Sequence, residues 1–153
     1  MAKSSKLFHT GVVKKSVVIN ASRDKVWGKI SNIIGLPTWI DDVKKTVFLS
    51  KTKRGIGAIR KLIFADGSQI EEHVVGWKNG EYFSYIAVSG LPLRAYHATL
   101  SVTQLGRQKT KLTWQSYFNS KAMTKKEFNE FVAYLGKFYQ QSLNNLKKSL
   151  RNN

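Results

Sequence analysis

Apolar positions along this chain follow two different periods. Between residues 123 and 150 they recur every three or four residues, so that Phe128, Phe131, Val132, Leu135, Phe138, Tyr139, Leu143, Leu146 and Leu150 form one stripe. Lys126, Glu130, Lys137, Asn144 and Lys148 lie opposite, and the spacing predicts one long amphipathic helix. Thr124 and Glu127 mark its start as a Thr-x-x-Glu capping box, with Met123 and Phe128 placed as a hydrophobic staple. Lys147, Lys148 and Arg151 sit where the C-terminal end of the helix dipole favours cations. Upstream the period is two. Residues 12–20, 43–50, 56–64, 69–77, 81–88, 93–105 and 109–118 read as strands, with Asp66-Gly67 and Asn79-Gly80 as hairpin turns. After the first strand, Ser22 offers an N-cap, and Val26, Trp27, Ile30, Ile33 and Ile34 recur at helical spacing up to Gly35. Residues 36–42, with Pro37 in the first turn, form a second short helical piece. The order is a strand, two short helices, six strands and a long helix. It predicts an α+β domain in which a curved antiparallel sheet of about seven strands wraps the C-terminal helix.

Turn length decides which side chains share a face, because a shift of one residue turns a strand over. A two-residue turn at Asp66-Gly67 sets Phe64 against Gln69, Leu62 against Glu71 and Arg60 against His73. Ile59, Ile63, Ile70 and Val74 then share the other face, which periodicity alone would turn toward the core. A three-residue turn instead sets Arg60 against Glu72. At Lys78-Asn79-Gly80, a three-residue loop ending in a left-handed glycine brings Trp77, Phe83 and Tyr85 together, and a two-residue loop does not.

Composition narrows the classes of function. With 153 residues the chain is the size of one domain, expected as a loose basic arm over residues 1–11 and a single domain over 12–153. Cysteine is absent, which excludes disulfides, thiolate metal sites and cysteine nucleophiles and makes a reducing cytoplasm the natural setting. Leu7-Phe8-His9-Thr10 is too short for a signal-peptide core, and no run approaches a membrane span. Lys and Arg number 26 against 9 Asp and Glu, a net charge of +17 that would attract nucleic acid or an anionic membrane. The bases divide evenly, 13 in residues 1–60 and 13 in residues 61–153, without an arginine-rich tract. Such a diffuse lysine surface favours neither partner specifically.

Several short stretches, taken in order, resemble the START-like helix-grip superfamily, the SRPBCC group of polyketide cyclases/dehydrases, lipid-transfer domains and plant hormone receptors. They are Ile19-Asn-Ala-Ser-Arg-Asp-Lys-Val-Trp27, Leu36-Pro-Thr-Trp39, Gly55-Ile-Gly-Ala-Ile-Arg60 and Glu71 after the Asp-Gly turn. Ser84-Tyr85, Leu91-Pro-Leu-Arg-Ala-Tyr96 and Leu112-Thr-Trp114 complete the set. The resemblance implies a cavity between the concave sheet and the long helix that holds a hydrophobic or amphipathic small molecule. Carried over residue by residue, it places Lys44, Arg60, Leu62, Glu71, Tyr85 and Tyr96 on the wall, and Phe131 and Leu135 of the helix stripe are the ligand-binding candidates that face them. It also puts Ile59, Ile63, Ile70 and Val74 outside, as an exposed apolar stripe suited to a homodimer. Leu91-Pro92-Leu93 becomes a mobile loop at the cavity mouth. The Asp66-Gly67 turn is too tight for the long gating loop of the hormone receptors.

The candidate chemistry gathers on that wall. Arg60 with Glu71 either orients a polar ligand group or forms a structural ion pair. Tyr85 and Tyr96 are either core residues or groups able to protonate an enolate, with Arg60 stabilising an oxyanion, as a cyclase/dehydrase would require, and His73 is either a base lining the cavity or a partly exposed strand residue. His9, His73 and His97 are too dispersed for a zinc site, and Gly55-x-Gly57 lacks the third glycine of a dinucleotide site. Neither a metal nor a cofactor is expected.

Overall fold

The computed structural model describes residues 8–151. Strand β1 (Thr10–Ile19) leads into helix α1 (Arg23–Ser31) and a short 3-10 turn (Leu36–Thr38). Strands β2 (Val43–Phe48), β3 (Ile59–Phe64), β4 (Gln69–Lys78), β5 (Tyr82–Ser89), β6 (Leu93–Gly106) and β7 (Lys109–Ser120) follow, and helix α2 (Lys125–Arg151) closes the chain. The strands form one antiparallel sheet in the order β1-β7-β6-β5-β4-β3-β2, so that each hairpin adds a neighbour and only β1 crosses back to pair with β7. This is the α+β helix-grip arrangement expected from the order of elements. Two residues assigned to the loose arm, Thr10 and Gly11, belong to β1 and pair with Asn119 and Phe118, because the long β7 extends the ladder to meet them. His9, also assigned to the arm, exchanges hydrogen bonds of 2.8 Å with Ser120, and residues 1–7 lie outside the described residues.

Local chemistry sets each helix. Ser22 caps α1 by accepting from the Lys25 amide at 3.2 Å. Thr124 and Glu127 exchange hydrogen bonds of 2.8 and 3.1 Å, satisfying two amides that the first turn of α2 would otherwise leave open. The stripe of α2 then buries Phe128, Leu135, Tyr139, Leu143 and Leu146 against the sheet. Gly11 lies where a Cβ would press on the Phe128 ring, which explains the small residue at the start of β1.

The first hairpin corrects the register. Phe64 and Ser68 pair across a three-residue turn in which the Gly67 amide donates to the Phe64 carbonyl. Asp66 accepts from the Ser68 amide and hydroxyl, and Gly67 holds φ at 88°. Arg60 therefore faces Glu72 and Leu62 faces Ile70, all on the concave side. Glu71 and His73 are turned outward beside Lys61 and Ile59. The apolar stripe of Ile59, Ile63, Ile70 and Val74 is consequently not formed, since Ile70 and Val74 point inward.

At the second hairpin the three loop residues are Asn79-Gly80-Glu81, one position later than expected but with the same parity. Trp77, Phe83 and Tyr85 accordingly pack in a row, with ring centroids 5.6 and 6.1 Å apart. Among the described residues no helix is long and apolar enough to cross a membrane.

The register predicts a specific cost. A Cβ at Gly67 meets nothing within 4 Å, so Gly67→Ala carries only the strain of a left-handed backbone and should destabilise by about 1–2 kcal/mol in urea denaturation. An unchanged midpoint would mean that the turn is not the three-residue form.

Candidate ligand-binding cavity

Sheet curvature and the diagonal path of α2 leave a cavity of about 470 Å³ between them. Its deep walls come from Leu36, Trp39 and Ile40 after α1, from Leu62 and Leu100 on the sheet, and from Leu135, Phe138 and Tyr139 on α2. Its exposed rim is formed by Asp42, Ala65, Asp66, Ser68, Gly90, Pro92 and Tyr134. The mouth thus opens at the end of the sheet where the β3–β4 and β5–β6 turns meet the first half of α2. Gly90 has φ of 99°, and a Cβ there would collide with the Gln69 carbonyl, so the β5–β6 turn lies directly on the start of β4. Leu91 and Pro92 are thereby held at the opening, as the mouth loop was expected to be.

A polar group sits at the inner end. Arg60 is 2% exposed and Glu72 5%. Arg60 Nε and Nη2 donate to the same carboxylate oxygen at 2.9 and 2.8 Å, and Nη1 donates to the Ile33 carbonyl at 2.6 Å. The guanidinium also lies 4.9 Å above the Tyr85 ring. Burial raises the Glu72 carboxyl above its ordinary value, and the Arg60 charge acts against that rise.

Three phenols and an indole complete the group. Trp114 Nε1 donates to the Tyr85 hydroxyl at 3.1 Å, the Tyr96 and Tyr139 hydroxyls bond to each other, and Trp114 stacks on Tyr139 at 3.8 Å. Burial, more than any neighbouring charge, pushes all three phenols well up. They remain neutral hydrogen-bonding groups rather than phenolates.

Of the side chains anticipated on the wall, Arg60, Leu62, Tyr85, Tyr96, Phe131 and Leu135 line the cavity. Lys44 and Glu71 do not, and His73 is the partly exposed strand residue of its alternative reading. Glu71 and His73 lie on the convex face, where their carboxylate and imidazole are 2.7 Å apart, because the turn at residues 65–67 has an odd length. Lys44 is exposed because a register shift between Val43 and Lys45 sets buried Val43 opposite Phe64 in its place, while Thr46 faces Leu62. Glu72, Trp114 and Tyr139 also belong to the inner group, although none was among the side chains carried onto the wall by the resemblance. Glu72 was the partner implied by the three-residue turn, and Tyr139 lies one helical turn beyond Leu135 on the same stripe.

A curved seven-stranded sheet gripping a long C-terminal helix around an apolar cavity defines a START-like helix-grip domain. The chain belongs to the polyketide cyclase/dehydrase and lipid transport family, which matches it over residues 10–151. Among solved structures, the Zhui aromatase/cyclase of Streptomyces sp. R1128 superposes with a TM-score of 0.80 at 16% identity, over 92% of this chain and 93% of that one. The XoxI protein of Bacillus cereus gives 0.78 at 21% identity, over 91% and 94%. An uncharacterised protein of Bacillus thuringiensis gives 0.78 at 22% identity, over 91% and 98%. At these identities the likeness establishes the fold. A search of functionally curated proteins returns no match.

The buried pair makes a testable demand. Arg60→Met strands an uncompensated carboxylate and should cost about 3–5 kcal/mol at neutral pH in urea denaturation, whereas Arg60→Met/Glu72→Leu should recover most of it. In the single variant Glu72 loses the charge that lowered its pKa. The native state then takes up its proton at a higher pH than the unfolded chain, whose carboxyl titrates near 4.5, so the deficit should shrink as the pH falls toward that value. Equal losses in the single and double variants would refute the pairing.

Proposed function

We propose that the chain binds a hydrophobic or amphipathic small molecule, lipid-like or polyketide-like, in the cavity between the sheet and α2. The observation that carries this reading is an apolar, aromatic-rich chamber of about 470 Å³ with a polar group at its closed end and a mouth at the other. The volume falls within the range of roughly 300–1,000 Å³ common to small-molecule sites. Apolar walls supply non-directional affinity of roughly 25 cal/mol per Å² of ligand surface covered. Orientation comes from the inner group. The paired hydroxyls of Tyr96 and Tyr139 present donor and acceptor capacity beyond the bond they share. Arg60, already committed to Glu72 and the Ile33 carbonyl, acts mainly by fixing the wall and the Tyr85 ring.

A second reading, a cyclase/dehydrase-type enzyme, is favoured by the convergence of Tyr85, Tyr96 and Tyr139 at that closed end. Neutral phenols are suited to donate a proton to a developing enolate oxygen. His73 has no part in this version, since it lies on the opposite face of the sheet, and the oxyanion role of Arg60 is limited by its existing bonds. A carrier returns its molecule unchanged. An enzyme converts a bound ketone, and Tyr96→Phe would stop the conversion while leaving the ligand bound.

Titration of the purified protein with an environment-sensitive apolar fluorophore tests the site. Saturable binding is expected, weakened at least about tenfold by Leu135→Trp, whose larger ring fills the chamber at a stability cost of about 1–3 kcal/mol. Undiminished binding by a folded Leu135→Trp variant would place the fluorophore elsewhere and defeat the proposal.

A further inference from the structure

Charge that is spread evenly along the sequence is not balanced evenly in space. Successive hairpins of an antiparallel sheet turn at alternate ends, so the β2–β3 loop, the β4–β5 turn and the β6–β7 turn all lie at the end remote from the cavity mouth. The last turns of α2 lie there as well: Gln140 reaches the carbonyl of Ser16 on β1, and eleven further residues carry the helix past the end of that strand. Lys51 and Lys53 stand on the first of these loops, and Arg107 and Lys109 on the third. Lys147, Lys148 and Arg151 add the helix terminus and share a shallow surface depression. Among the described residues, the carboxylates at this end are Asp24 and Glu81, and Glu81 is paired with Lys78 at 3.1 Å. Asp41, Asp42, Asp66, Glu127 and Glu130 lie instead at the mouth end, where they offset Lys44, Lys45, Arg94, Lys121, Lys125 and Lys126. The molecule therefore has a strongly basic pole opposite its opening.

That pole also carries exposed aliphatic side chains. Ile56 is 65% exposed, Leu105 51% and Leu49 45%. Ile56 is held out by its surroundings. It lies between Gly55 and Gly57, both at positive φ, and the Gly57 amide donates to the Val74 carbonyl. Arg54 anchors the same loop, stacking 5.1 Å over Trp77 and donating to Ser31 and Asn79. An ordered loop that presents isoleucine to water, flanked by lysines, matches the interface of an anionic bilayer, where aliphatic groups enter the headgroup boundary and lysines meet the lipid charge. Nucleic acid would reward the lysines but not the aliphatic tip, for which stacking aromatics are the usual counterpart.

We infer that the pole formed by the β2–β3 loop, the β6–β7 turn and the end of α2 docks on anionic lipid bilayers, with Ile56 entering the surface and the cavity mouth facing away from it. Docking of this kind is independent of whether the cavity holds a ligand. It is tested by flotation of the full chain with vesicles of equimolar phosphatidylglycerol and phosphatidylcholine, against vesicles of phosphatidylcholine alone and a duplex DNA. Selective binding to the anionic vesicles at physiological salt is expected. Ile56→Ser should weaken it at least about fivefold, and Lys51→Glu/Lys53→Glu more than about twentyfold, since each basic residue near such a surface contributes roughly a fivefold gain. Lys44→Glu/Lys45→Glu, the same charge change at the mouth end, should have a much smaller effect. Absence of anionic-vesicle binding would overturn the inference. So would an unchanged Ile56→Ser variant, equal losses from the two double variants, or duplex DNA binding as tight as vesicle binding and indifferent to Ile56.

Discussion

A charge pair buried between the sheet and the segment that follows α1 governs how the interior is organised. Arg60 is tied to Glu72 on the neighbouring strand and to the carbonyl of Ile33, so one guanidinium joins β3, β4 and the α1 connection. Two charges in an apolar interior are tolerable only with close geometry and additional hydrogen bonds, and both are present. Because the pair occupies the concave face, it cannot be hidden by close apolar packing across the sheet. It instead forms the polar floor of a chamber whose upper walls are Leu62, Leu135 and the aromatic residues of α2.

The pair exists only because of a turn at the surface. A three-residue connection at Ala65-Asp66-Gly67, closed by the Asp66 side chain and a left-handed glycine, puts Glu72 rather than Glu71 across from Arg60. A two-residue connection would turn Glu72 outward and set His73 opposite Arg60, with Glu71 one pair away beside Leu62. Local backbone chemistry at the rim thus determines electrostatics at the floor. Register shifts at Val43/Lys45 and Val74/Gly76 act in the same way, reversing which residues of β2 and β4 look inward.

These features separate what could be read in the sequence from what could not. The apolar stripe of α2 and its capping box are local patterns, and the helix begins beside Thr124 as they indicate. Strands bounded by Asp-Gly and Asn-Gly also declare themselves, and their order carries the family resemblance. Arg60, Tyr85, Tyr96, Phe131 and Leu135 could be placed on the wall by that likeness. Lys44 and Glu71 could not be placed correctly, because each sits beside a one-residue irregularity whose effect on facing exceeds any preference of the side chain itself. Charge was illegible for a different reason: a count along the chain averages over hairpins that turn at opposite ends, whereas the folded sheet separates them.

Whether the chamber captures a ligand is decided by mass spectrometry of the purified protein under native and then denaturing conditions, with organic extraction of the denatured sample. The expected result is an excess mass in the native spectrum that disappears on denaturation, and an apolar or amphipathic molecule in the extract that fits a chamber of about 470 Å³. A native mass equal to that of the bare chain, with no uptake of long-chain lipids or polyketide-like aromatics offered in excess, would contradict it.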